Sequence, residues 1–119
     1  MGQDSAVPAC DPYQGDASHV VVVIINFNSD DFLARSVAAL QAQTYRAFTT
    51  MVVDNASTDD SVAVMHKRFP EIEVIQAPGN LGFAGGNNLA IREIRDCHWV
   101  ALLNPDAFPE PNWLSRLMA

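Results

Sequence analysis

From His19 onward, short apolar runs alternate with stretches in which apolar residues recur every three or four positions. The first run, Val20-Val21-Val22-Val23-Ile24-Ile25, is β-branched throughout and has no polar alternation, the pattern of a strand covered on both faces in a parallel sheet. Leu33, Val37 and Leu40 recur at intervals of four and three, which predicts a helix capped by Ser29 and running to about residue 42, with Arg35 and Gln41 on its other face. Residues 48–53 predict a second strand. Ser57, followed three residues later by Asp60, resembles a capping box for a helix that carries Val62, Met65 and Phe69 and is stopped by Pro70. A third strand is expected over 73–76, followed by a Gly-rich loop, a helix with Ala90, Ile91 and Ile94 on one face, and a fourth strand over 98–103. Strand and helix thus alternate four times with connections of βαβ length, which places the chain in the α/β class with an open, mainly parallel sheet and flanking helices. No internal repeat interrupts the pattern. Residues 1–18 show no period and read as a mobile leader, so the folded domain is expected to span 19–119.

Composition narrows the function. At 119 residues with 49% hydrophobic and 18% charged positions, the chain suits one globular core. Its net charge of -7 repels nucleic acid and anionic membrane, and a nucleic-acid partner is excluded. Cys10 and Cys97 are the only cysteines and read as reduced thiols. No apolar run approaches a bilayer span and no signal peptide is recognisable. A cytoplasmic location is expected, compatible with peripheral attachment to the inner membrane face; oligomerisation is left open.

In open α/β sheets ligands bind beyond the carboxyl ends of the strands. Here the four strand ends are followed by Asn26-Phe27-Asn28-Ser29, by the run from Asp54 to Asp60, by the Gly-rich run from Pro78 to Asn88, and by Asn104-Pro105-Asp106. Each alone reads as an ordinary turn. Together they suit a nucleoside diphosphate. Phe27 offers a flat apolar surface to a base, and the Asp54 carboxylate an acceptor for the imide N–H of uracil or thymine. The glycines between Gly79 and Gly86 let backbone approach a ligand and lead into a helix N-terminus suited to anionic oxygens. None of the seven bases directly follows a strand, and all are expected on the far side. The charge of the diphosphate then calls for a cation, Mg²⁺ or Mn²⁺, on Asp106.

These four segments, in this order, resemble the motifs of family 2 glycosyltransferases over about residues 19–118. The resemblance implies the GT-A fold, an inverting transfer from a nucleotide-diphosphate sugar to a carbohydrate or lipid-linked acceptor, and a place in cell-surface polysaccharide or glycolipid synthesis. It puts Phe27 beside the base, Asp54 on it, and Asp106 at the metal-binding end of the D-x-D motif. Asn104 stands where that motif usually has its first Asp. The Asn104-Pro105-Asp106 variant and the run Asn80-Leu81-Gly82-Phe83-Ala84-Gly85-Gly86-Asn87-Asn88 resemble the rhamnosyltransferase-like branch, whose donor is often deoxythymidine diphosphate rhamnose. The expected substrate-binding set is Asn26, Phe27, Asp54, Asn80, Gly82, Gly86, Asn87 and Asn104, with Asp106 for the metal.

Other residues read as structural. His19, His66 and His98 have no metal-ligand spacing; Trp99 is expected to begin a buried strand, and Trp113 to be core or a subsite wall. Asp59 and Asp60 are expected to serve a helix start. No G-x-G-x-x-G follows the first strand and no G-K-[ST] occurs, which excludes dinucleotide and P-loop readings. A nucleotidyltransferase would carry a basic Gly-rich loop there, and none is present. No carboxylate is left over as catalytic base, because the family draws it from the part after the D-x-D motif. The chain is therefore expected to be the nucleotide-sugar-binding part of the enzyme, truncated and inactive by itself, the alternative being a binding-only module.

Overall fold

The computed structural model describes residues 19–94 and 99–119. The expected leader, both cysteines and His98 lie outside the described residues. Eight elements follow in order: β1 Val20–Asn26, α1 Phe32–Gln41, β2 Phe48–Asp54, α2 Ser61–Arg68, β3 Glu73–Gln76, α3 Gly82–Glu93, β4 Trp99–Leu103 and α4 Trp113–Leu117. The strands pair in parallel in the order β3-β2-β1-β4. The chain therefore winds outward from β1 to β3 and then returns to β1's other side with β4. That reversal is a topological switch point, where such sheets open a crevice beyond the strand ends.

β1 is central and all seven of its residues are buried. Val20, Val22 and Ile24 face a core completed by Leu33, Val37 and Leu40 of α1, Met65 of α2 and Leu114 of α4. Val21, Val23 and Ile25 face a second core with Met51, Val53, Ala90 and Ile94. The unbroken β-branched run thus covers both faces, each fully buried side chain worth about 1.5–3 kcal/mol.

Several local expectations change. α1 and α2 begin after Asp31 and Asp60, and neither receives a side-chain cap. Ser29 spends its hydroxyl on Asn26 Oδ1, and Ser57 spends its own on Asp54 Oδ1 at 2.6 Å; the predicted cap and capping box do not form because buried acceptors at the strand ends claim both hydroxyls. Ala90 of α3 and Ile94, just past its end, are buried but Ile91 is exposed. β4 is an edge strand rather than a buried one, and Trp99 is 57% exposed. The Gly-rich run is largely helix: α3 starts at Gly82, whose φ of 74° only glycine adopts without strain.

Gly86 lies inside α3, where glycine costs about 1 kcal/mol against alanine. An added Cβ would stand 3.0 and 3.2 Å from the Ile25 methyls and 3.3 Å from Asn55 Nδ2. The close approach is therefore of helix to sheet. Ile25 is stiff at χ1 and Asn55 is hydrogen-bonded to Gly82, so neither yields cheaply. Gly86→Ala should lower unfolding free energy by on the order of 1 kcal/mol, overpacking outweighing the gain in propensity. Gly79→Ala, where a Cβ meets nothing within 4 Å, should leave it nearly unchanged. Urea unfolding of the two variants checks this; equal stability would show that α3 shifts freely on the sheet.

Candidate functional site

The last residues of three strands stand side by side: Asn26 pairs with Asp54, and Asp54 with Gln76. Registered residues of parallel strands project to one face, and here their side chains bond in a row. Asn26 Nδ2 donates to Asp54 Oδ1 at 3.0 Å and to Ser61 Oγ at 2.8 Å, and Gln76 Nε2 donates to Asp54 Oδ2 at 2.8 Å. Ser57 adds its Oγ to Oδ1 and, at 3.3 Å, its backbone N–H to Oδ2. Asn26 has no exposed surface and Asp54 only 3%. A buried carboxylate is tolerated because donors replace its water.

The loops above this row are stitched to each other. Asn28, at a φ of 50°, accepts from the backbone of Thr58 at 2.7 Å and Asp59 at 3.3 Å, and donates its own N–H to Ser57 Oγ at 2.9 Å. Asp59 accepts from the Asp30 N–H and from both the N–H and the hydroxyl of Ser61, so it serves the start of α2 as expected. Ala56 holds a left-handed φ of 64°, a strain of about 1–2 kcal/mol that lets the chain turn after Asp54-Asn55.

Asn55 joins this corner to the third loop. Its Nδ2 donates to Gly82 O at 3.1 Å and its Oδ1 accepts from Leu81 N–H at 3.4 Å. Asn80 Oδ1 accepts from Gly82 N–H at 2.9 Å, a local contact at the exposed start of α3. Asn87 is buried, and among the described residues its Oδ1 has no hydrogen-bond partner. Phe27 is 47% exposed directly beyond Asn26.

The fourth loop leaves the sheet beside them, since Leu103 pairs with Ile24. Asn104 and Asp106 are exposed. Their backbone is held from α1: Ser36 Oγ bonds to both Pro105 O and Ala107 O, and Gln43 bridges to Glu110 O and Leu114 N–H. One carboxylate and one amide, exposed and free of described hydrogen bonds, fit a hard cation that keeps water and phosphate oxygens as its other ligands. Among the described residues no cluster of three ligating side chains occurs.

Thus Asn26 and Asp54 meet directly, Asn80, Gly82 and Gly86 connect to them through Asn55 and Ile25, and Asn104 and Asp106 neighbour them by strand order without a described bond. Gln76 and Ser61 carry no mark in the sequence, and Ser57 carries only that of a helix cap; the signal for Gln76 is the register of three strand ends, which appears only once the strands are paired. Arg35 corrects the placing of all bases on the far side. Its guanidinium lies 4.6 Å from the ring centroid of Phe108, two residues beyond Asp106, and 5.3 Å from that of Phe32. His19 and His66 have ordinary partners, Thr49 Oγ1 at 2.9 Å and Ile72 O at 3.0 Å.

Burial pushes the Asp59 carboxyl up, but hydrogen bonds from Ser61, Asp30 and its own backbone outweigh this and hold it below its ordinary value of 3.8. A depressed folded value stabilises the fold above the unfolded value and loses that contribution as pH falls through the folded one. Asp59→Asn should therefore make the melting temperature fall less steeply below pH 3.8. Parallel acid limbs for both proteins would remove Asp59 from the linkage.

In sequence and fold the chain is similar to known proteins. The family described as Glycosyl transferase family 2 matches residues 21–119. The N-acetylglucosaminyl-diphospho-decaprenol L-rhamnosyltransferase of Mycobacterium tuberculosis is 25% identical over 107 residues, 82% of this chain and 35% of that protein. The succinoglycan biosynthesis protein ExoO of Rhizobium meliloti is 29% identical over 100 residues, 83% of this chain and 28% of its own length. The chain thus spans about a third of the length of the curated relatives it matches. Among solved structures, S. aureus TarS 1-349 in complex with UDP-GlcNAc superposes with a TM-score of 0.73 at 22% identity, over 83% of this chain and 30% of that one. The mannosyltransferase PcManGT from Pyrobaculum calidifontis, in complex with GDP-Man and Mn²⁺, gives 0.68 at 21% identity, over 82% and 32%. The expected open parallel sheet of GT-A type is the fold observed. With four strand-end motifs in order on that sheet and nearly its whole described length matched, the chain belongs to glycosyl transferase family 2.

Proposed function

We propose that this chain forms the donor-nucleotide site of an inverting glycosyltransferase that uses a deoxythymidine- or uridine-diphosphate sugar, with a 6-deoxyhexose such as rhamnose as the favoured donor. The acceptor is a carbohydrate or lipid-linked glycan of cell-surface polysaccharide or glycolipid synthesis, reached from the cytoplasmic side. The observation that carries this reading is the buried Asp54 carboxylate, held by Asn26 and Ser57 at the strand ends beside exposed Phe27. The names of the Mycobacterium tuberculosis and Rhizobium meliloti relatives support it over a binding-only module, and the rhamnosyl and diphospho-decaprenol parts of the first name support both the donor and the lipid-linked acceptor.

The chain's own residues divide the work. Asp54 accepts the imide N–H of the base, which stacks along Phe27. The exposed first turn of α3 presents the N–H groups that follow Gly82 to phosphate oxygens. Asn87 Oδ1, a buried acceptor, suits a hydroxyl of the ribose or the sugar. Asp106, with Asn104, would hold Mg²⁺ or Mn²⁺, whose chemistry is to neutralise the charge that builds on the departing diphosphate. Holding the donor is distinct from the chemical step, which also needs an acceptor aligned with the anomeric carbon.

Losing a hydrogen bond to a charged group costs about 1.5–3 kcal/mol, so Asp54→Ala should weaken uridine or deoxythymidine diphosphate binding by roughly ten- to hundred-fold. Adenosine diphosphate should bind the unaltered protein more weakly than either. Calorimetry decides this, and equal affinity for adenosine diphosphate would sink the base assignment.

Nucleotide affinity should also rise when Mg²⁺ or Mn²⁺ is added, and Asp106→Asn should abolish the rise while leaving metal-free binding in place. Diphosphate affinity indifferent to the cation would transfer charge neutralisation to α3 and Arg35.

A further inference from the structure

We infer that Ser36, buried on α1, is a positioning residue for Asp106: its hydroxyl fixes the turn that carries the carboxylate and so sets how well this chain holds a divalent cation against a nucleoside diphosphate. The inference rests on the reading of Asp106 as the cation's ligand and adds to it a residue that acts only through the backbone of the loop.

Its basis is the way residues 104–114 are laid along α1. Ala107 N–H donates to Asn104 O at 3.0 Å, which closes a turn with Pro105 and Asp106 at its centre. A turn closed by one hydrogen bond can still swing about the end of β4. Ser36 stops it. This residue has no exposed surface, and its hydroxyl meets Pro105 O and, at 2.7 Å, Ala107 O, the carbonyls on either side of Asp106. A serine inside a helix ordinarily returns its hydroxyl to the carbonyl one turn back, whereas both described bonds of Ser36 go to the loop. One hydroxyl hydrogen is shared between the two acceptors, so the backbone before and after Asp106 is drawn to a single buried point while the Asp106 side chain stays exposed.

The far part of the segment is held separately. Just past the end of α1, Gln43 donates to Glu110 O at 2.7 Å and accepts from Leu114 N–H at 3.0 Å, and Thr44 N–H donates to Pro111 O at 2.8 Å. Only the Ser36 anchor touches the residues that flank Asp106. A cation there draws on one carboxylate and one amide of this chain, so its affinity depends on Asp106 standing ready beside the phosphates. A loop free to swing would have to be ordered when the cation binds, and that ordering is subtracted from the affinity.

The test titrates uridine diphosphate into the full chain by calorimetry over a range of Mn²⁺ concentrations, for the unaltered protein, Ser36→Ala, Gln43→Met and Asp106→Asn. Groups that orient a metal ligand from outside are typically worth ten- to hundred-fold in metal affinity, so Ser36→Ala should raise the Mn²⁺ concentration needed for half of the affinity gain by about tenfold. Metal-free affinity, set at Asp54 on the other side of β1, should stay unchanged. Gln43→Met loosens the far part of the same segment and should lower the melting temperature without changing the Mn²⁺ requirement. If the alanine variant does not fold, Ser36→Cys, which fills the same space with a weak donor, should show a rise in the same direction. An unchanged Mn²⁺ requirement in the Ser36 variant, with Asp106→Asn still abolishing the gain, would overturn the role of Ser36 and leave the cation site standing. An equal rise in Gln43→Met would overturn it too, by reducing the effect to general loosening of the segment. A gain that is absent from the unaltered protein, or that survives Asp106→Asn, would overturn the cation reading and this inference with it.

Discussion

Everything at the carboxyl edge of the sheet depends on Asn26, a wholly buried amide at the end of the central strand. Its nitrogen donates to Asp54 and Ser61, and its oxygen accepts from Ser29. Only an amide can do both. An aspartate there would press a second carboxylate against Asp54, and a leucine would leave Asp54 and Ser61 short of partners in a place water does not reach, at about 1–3 kcal/mol for each unmet group. Because the contact is made by paired residues of β1 and β2, the sheet's own register positions the Asp54 carboxylate before any ligand arrives. The same amide ties down the first turn of α2 through Ser61 and the β1–α1 loop through Ser29. The position of the Asp54 carboxylate and the geometry of the loops are therefore parts of one packing problem.

Period carried most of the fold. An unbroken run of six β-branched residues over 20–25 can be covered on both faces only between two helical layers, and those layers are what Leu33, Val37 and Leu40 on one side and Ala90 and Ile94 on the other supply. Where a second interaction competes for the same group, the local pattern misleads. Ser29 and Ser57 have good capping chemistry, yet each lies within reach of a buried acceptor whose need is greater than that of an exposed helix N–H. Glycines were read as loop because their propensity says so, but Gly86 is set in a helix by the bulk of Ile25 across from it. The apolar run that Trp99 opens suggests a buried strand, but β4 lies at the edge of the sheet and leaves Trp99 exposed.

The candidate site divides along the same line. Strand-end position was enough to mark Asn26, Asp54 and Asp106, since in this architecture strand ends converge. Gln76 was invisible because a glutamine closing a short strand looks like any polar residue until β3 is laid against β2 in register. Arg35 was assigned to the far side by its helix, yet it sits early enough in α1 to reach the loop that follows Asp106.

That difference in environment also sorts the carboxylates between roles. Asp54 is enclosed, and four hydrogen bonds already use both of its oxygens. A cation there would have to displace Asn26 and Ser57 from the interior and leave them unsatisfied, so Asp54 is restricted to accepting one further N–H at its outer oxygen. Asp106 stands in water on a loop whose backbone, not whose side chain, is anchored to α1 through Ser36. Its oxygens are uncommitted, and the anchoring limits where they can go. A hard cation needs ligands that can trade water for phosphate without breaking the fold, which exposed Asp106 allows and buried Asp54 forbids. Under the donor-nucleotide reading proposed above, burial suits Asp54 to the base and exposure suits Asp106 to the charge of the diphosphate, on opposite sides of β1.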